Sequence, residues 1–155
     1  MKVREVMVQD VKICTPVMNL AAVAEILWKE GCGTLPVVEN ARVMGMITDR
    51  DICIALGTRN VRAAEAVVRD VALPKVFYCA PDDDIHKALS TMSAQKIRRL
   101  PVINNEGILE GILCLDDIVL HAEAKAADLT YADVMKTLKA ICEHERAHLS
   151  LAVAR

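Results

Sequence analysis

The sequence predicts a mixed α/β (α+β) fold: two strand–helix–strand–strand–helix repeats packed as a pseudo-two-fold pair, followed by an amphipathic C-terminal helix. Three observations predict it. First, the chain is written twice, since Arg4 to Ile52 aligns beneath Arg69 to Ile118, about two-thirds of the 155 residues. Pro16 falls on Pro81 and Leu35-Pro36-Val37 on Leu100-Pro101-Val102, each 65 residues later, and Gly45 pairs with Gly111 and Asp51 with Asp117 at 66, so one residue is inserted in a loop. Second, hydrophobic residues make up 54% of the chain but aromatics only 3%, so the core is aliphatic. Third, the residues beyond Ala122 adopt a helical period.

In the first copy, "VKIC" reads as a short strand closed by Thr15-Pro16. "NLAAVAEILWKE" carries apolar residues on a helical period behind an asparagine cap, and Gly31 ends it. "LPVVE" and "RVMGMIT" are β-rich and separated by Asn40-Ala41, a hairpin turn. "DRDICIAL" starts a helix that stops at Gly57. The second copy has "KVFYC", "DIHKALSTMSAQ", "LPVIN", "ILEGILC" and "DDIVLHAEA" in the same order. A unit of roughly 50 residues buries little by itself, so two packed face to face can share one core. The expected organisation is repeat one over 1–57, a linker over 58–68, repeat two over 69–122 and a helical extension over 123–155. In that extension Val134, Leu138, Ile141, Cys142, Leu149 and Ala152 fall on one helical stripe of about five turns or more. Lys136, Lys139, Glu143 and Arg146 lie opposite.

A formal charge of −2 gives no reason to expect nucleic acid or an anionic membrane as partner. The opening "MKVREVMVQDV" has no apolar signal core, and no apolar run approaches the roughly 18 residues that span a bilayer. Cys14, Cys32, Cys53, Cys79, Cys114 and Cys142 form no C-x-x-C pair and lie mostly in apolar strings. They read as reduced core-filling residues of a cytoplasmic protein.

Thr48 and Asp51 form a capping box variant at a helix start. An aspartate fixed in that first turn also presents two acceptor oxygens that suit a ribose diol, beside amides that favour an anion. Arg98 and Arg99, before the second Leu-Pro-Val strand, read by themselves as solvated charges, and Arg50 as an exposed helix charge. His86 and His121 are isolated and receive no role.

The pattern in both copies, ending in G-h-h-T-x-x-D ("GMITDRDI") and containing h-P-V ("IRRLPVI"), resembles the cystathionine-β-synthase (CBS) domain, in the tandem arrangement called a Bateman module. That resemblance implies a non-enzymatic regulatory pair that homodimerises, binds an adenine nucleotide (AMP, ADP, ATP, NAD or S-adenosylmethionine type) as regulatory ligand, and signals to a partner protein. It implies no catalytic cofactor. By resemblance Thr48 contacts ribose or phosphate, Asp51 holds the ribose diol, and Arg98 and Arg99 grip phosphates across the cleft. Thr15, Ile13, Leu35 and Ile47 would wall the adenine slot. The mirror cleft is expected to be weaker: Asp117 remains, but Cys114 replaces the threonine, Ala80 replaces Thr15, and Gly33 and Thr34 stand where the arginines would be. One good nucleotide site per chain is therefore expected.

Two alternatives stay open. One is a ligand-free structural dimerisation module. The other is a metallohydrolase, because "HERAH" at 144–148 spells H-E-x-x-H. A zinc hydrolase needs a third ligand, and none follows in "LSLAVAR". No metal site is assigned; His144 and His148 are left as an adventitious pair at the edge of the apolar stripe.

Overall fold

The computed structural model describes residues 1–72, 75–123 and 128–143. The first repeat begins as an extended segment that touches the sheet at one residue only. Cys14 donates its amide to the Pro36 carbonyl at 3.0 Å and accepts from the Val38 amide at 2.8 Å, a single parallel bridge. The expected strand "VKIC" is therefore cut to one residue. The amides that would extend a parallel ladder to either side belong to Pro36 and Pro16, and proline has no N–H. The second copy repeats this: Cys79 bonds the Pro101 carbonyl and the Ile103 amide, and Pro101 and Pro81 end the ladder.

α1 (Leu20–Glu30) starts where the Asn19 side chain accepts from the Ala22 amide and ends at Gly31, whose φ of 61° is the left-handed cap glycine tolerates. β1 (Thr34–Glu39) and β2 (Arg42–Thr48) pair antiparallel through a two-residue turn, with Asn40 and Ala41 both at positive φ. That is the turn whose twist matches the flanking strands. α2 (Asp49–Arg59) runs two residues past the expected stop at Gly57. Asn60 supplies the left-handed cap instead, at φ 52°.

Repeat two follows with α3 (Ile85–Gln95), β3 (Arg99–Ile103), β4 (Leu109–Cys114) and α4 (Leu115–His121). Its longer hairpin is tied by Asn104, whose side-chain oxygen accepts from the Glu106 and Ile108 amides. Both hairpins carry an irregularity after the proline-containing stretch, between Val37 and Val38 and between Val102 and Ile103.

The final helix, α5 (Tyr131–Cys142), is shorter than the sequence suggests. It is opened by a Thr130–Asp133 capping box, and Glu143 leaves the helical conformation. The Lys96 ammonium donates to the Glu143 carbonyl at 2.6 Å. Val134, Thr137 and Ile141 are buried and Leu138 packs beside them, whereas Cys142, expected on the stripe, is exposed. Spacings of three and four residues put Thr137 on the buried face and turn Cys142 off it. α5 lies against α3, so its partner surface is repeat two of its own chain. Leu149, Ala152, Arg146 and the "HERAH" stretch lie outside the described residues.

Two aliphatic cores result, and each contains a piece of the other half. Leu20, Val23, Leu35, Val37 and Ile47 form the first core, together with Val68 from the segment between the repeats. Ile85, Met92, Leu100, Leu113 and Ile118 form the second, together with Val3 and Val6 from the start of the chain. The exchange is held by backbone bonds. The Val3 amide donates to Asp83 and that of Arg4 to Pro81, while Val68 donates to Met18 and Arg69 to Pro16. Between the halves, Val8 and Ile112 exchange amide–carbonyl bonds of 2.9 Å each. Gly111 permits that approach, because a Cβ there would stand 2.7 Å from the Val8 carbonyl oxygen.

Candidate functional site

The start of α2 is built by residues 48–51. The Thr48 hydroxyl accepts from the Asp51 amide at 3.1 Å. The Asp51 Oδ2 in turn accepts from the Thr48 amide at 2.9 Å and from its hydroxyl at 2.7 Å. The box is thus complete and consumes one carboxylate oxygen; among the described residues Oδ1 accepts no hydrogen bond. Both side chains are half-buried, and the box holds the carboxylate in a fixed position. The Asp49 amide ties this turn to the Gly33 carbonyl at 3.2 Å.

The equivalent turn in repeat two is tied the same way, Leu115 donating to the Arg98 carbonyl at 2.9 Å. Cys114 makes no side-chain cap there. A cleft of about 310 Å³ opens beside this turn and is walled by both halves of the chain. Val11, Thr34 and Leu35 come from the first half; Arg99, Ile112, Cys114 and Asp117 come from the second. The Thr34 hydroxyl is buried and donates to the Ile47 carbonyl at 3.0 Å, which fixes its orientation. Burial first, and then the Asp117 carboxylate, push the Cys114 thiol up to about 11, while the Arg99 guanidinium opposes them. At neutral pH Cys114 is therefore a protonated, non-nucleophilic wall.

The residues singled out by sequence divide between these places. Arg99 was expected to face Asp51, and the mirror cleft was expected to lack cations. Instead Arg99 lines the Asp117 cleft, and no hydrogen bond or ion pair joins Arg98 or Arg99 to Asp51. Arg98 is exposed. Leu35 lines the Asp117 cleft from the first core, and Ile47 is wholly buried within that core. Ile13 lines a separate depression beside Val38 and Ile108. Thr15 is exposed in the turn after the Cys14 bridge, and the Ala80 amide is bound by Asp83 at 2.9 Å. Sequence reading missed Lys12 and Glu30, which stand at the Asp117 cleft. Neither belongs to a motif, and only the fold brings them there. Among the described residues no group of three or more His, Cys, Asp or Glu could hold a metal ion, and no helix is long and apolar enough to cross a membrane.

A family model for the CBS domain matches the chain twice, over residues 3–58 and 68–123. The chain is 30% identical over 125 residues to Hypoxic response protein 1 of Mycobacterium tuberculosis, covering 80% of this chain and 82% of that one. It is 30% identical over 118 residues to an uncharacterised protein of Methanopyrus kandleri, where the match spans 76% of this chain but only 60% of the relative. Among solved structures, it is similar to the CBS domain pair of protein MJ0100 in complex with 5′-methylthioadenosine and S-adenosyl-L-methionine. The TM-score is 0.70 at 22% identity, over 78% of this chain and 94% of that one. It is also similar to CBSX2 in complex with AMP, with a TM-score of 0.69 at 23% identity, over 77% and 94% of the two chains. At those identities the structural likeness establishes the fold.

Proposed function

The chain belongs to the CBS domain family as a tandem pair, and from that premise we propose that it binds an adenosine-containing ligand between its repeats and regulates another protein without catalysing a reaction itself. The observation that carries this reading is the cleft of about 310 Å³ walled by both halves of the chain. A ligand seated there touches both repeats at once, so its binding energy depends on how they are set against each other. Asp51 and Asp117, each in the first turn of a helix, are the acceptors for a ribose diol. Arg99 is the cation that lines the Asp117 cleft, where its planar guanidinium suits a base. The MJ0100 pair binds adenosyl compounds and CBSX2 binds AMP, which supports the ligand class. The homodimer and the cytoplasmic setting are part of the same proposal.

A thermal-shift screen of AMP, ADP, ATP, NAD and S-adenosylmethionine tests it. At a ligand concentration about 100 times Kd, binding stabilises a protein by about 2.7 kcal/mol. For a chain of this size that is a rise in Tm of roughly 5–10 °C. At least one compound should produce such a rise, and the double substitution Asp51→Ala, Asp117→Ala should remove it. No shift with any of the five would leave the structural dimerisation module as the better reading.

A further inference from the structure

The inference drawn here deepens the nucleotide-binding reading and rests on it: we propose that the Asp117 cleft selects adenosine compounds whose 5′ substituent is neutral or cationic, such as a thioether or a sulfonium, over 5′-phosphates. Four acidic residues line the cleft, Asp10, Glu30, Asp116 and Asp117, against two basic ones, Lys12 and Arg99. The Lys12 ammonium already lies 3.6 Å from the Asp10 carboxylate. Arg99 is shared as well. Its guanidinium lies against Cys114, and one of its nitrogens stands 3.8 Å from the point where a Gly33 Cβ would be. The Asp49 carboxylate comes within 3.2 Å of that same point.

Among the described residues that line the cleft, no further cation offsets this excess. α4 is seven residues long, and Asp116 and Asp117 in its first turn place two negative charges at the positive end of its dipole. The Thr34 hydroxyl proton is committed to the Ile47 carbonyl. At the position where repeat one offers the Thr48 hydroxyl, repeat two offers a thiol, a weak donor. A 5′-monophosphate entering this cleft adds about two negative charges to a lining that already carries an excess of two. A sulfonium subtracts one, and a thioether leaves the balance unchanged. The adenosine portion is common to all of them, so the 5′ group decides.

Calorimetric titration of the full chain carrying Asp51→Ala, which leaves the Asp117 cleft as the ribose site, provides the test. The series is 5′-methylthioadenosine, S-adenosylmethionine, AMP and ATP at low ionic strength. The first two should bind at least tenfold more tightly than the last two. Glu30→Gln with Asp116→Asn should narrow that ratio, and so should added salt, because exposed charges are screened. AMP or ATP binding as tightly as the sulfonium overturns the inference while leaving the nucleotide reading intact. Binding by the unsubstituted chain but not by Asp51→Ala does the same. No binding of any of the four to the unsubstituted chain overturns both. If Asp51→Ala lowers the folded fraction, the series is titrated against the unsubstituted chain and against Asp117→Ala, which breaks no side-chain cap, and the preference should be present in the first and absent from the second.

Discussion

Ala41 occupies the second central position of the β1–β2 turn with φ of 63°. A left-handed conformation brings an L-residue's Cβ close to the following carbonyl at a cost of roughly 1–2 kcal/mol, which glycine avoids. Part of that gain is offset by glycine's larger unfolded-state entropy. Ala41→Gly should therefore raise stability by about 0.5–1 kcal/mol, read as a higher urea midpoint with an unchanged slope. A lower midpoint would mean that the turn does not carry this strain. At this scale the sequence disclosed much: Asn40-Ala41 marked the hairpin, Asn19 and Gly31 bounded α1, and Thr48-x-x-Asp51 announced the box that the hydrogen bonds complete. Arg99 was less legible. The family resemblance set it opposite Asp51, but a long side chain chooses among nearby carboxylates by three-dimensional distance, and Asp49 and Asp117 both lie within its surroundings.

Elements expose a different limit. The first strand of each repeat has β-prone residues, yet each survives as a single bridge at Cys14 or Cys79. The prolines that identified the repeat also withhold the amides a longer ladder needs, a consequence readable only once the parallel pairing partner is known. The end of α5 shows the reverse problem: helical periodicity continued past Cys142, whereas the chain leaves the helix at Glu143. Elements also concentrate the acid sensitivity. At the start of α3, Asp82 is held below its ordinary value by the Lys2 ammonium and then Arg4, and Asp84 by the His86 amide and ring. Burial pushes Asp83 up, but the Ala80 amide and Lys87 together bring it below 3.8. At the start of α5, the Thr130 hydroxyl and amide lower Asp133. A carboxylate depressed in the folded state contributes stability above its unfolded value, and that contribution is lost as pH falls through the folded one. Urea midpoints should therefore stay level with respect to these groups above about pH 5 and fall below about pH 4. The amides of α3 and α5 should lose hydrogen-exchange protection over the same interval. Midpoints that hold steady down to pH 2.5 would show that these four contacts do not contribute.

For the molecule as a whole, the exchanged segments matter more than the repeat boundaries. Val3 is fully buried in the core of repeat two, and Val68, with no exposed surface either, fills the equivalent place in repeat one. Each half is therefore completed by a turn whose covalent neighbours lie in or lead to the other half. The Val8–Ile112 pairing, close enough to require Gly111, joins them again at the centre. Such a molecule should unfold as one unit, because losing either core releases a segment that the other half needs. Val3→Ala and Val68→Ala each remove two buried methyl groups and leave a small cavity, so each should cost about 2 kcal/mol. Hydrogen exchange distinguishes cooperation from independence. Under either substitution the slowest amides of β1 and of β3 should lose protection by the same factor, roughly thirtyfold for 2 kcal/mol. If Val3→Ala loosened β3 alone and Val68→Ala loosened β1 alone, the two halves would be independent domains. With that coupling, the ligand proposed to sit between the repeats would act through one wall of the cleft on both cores together.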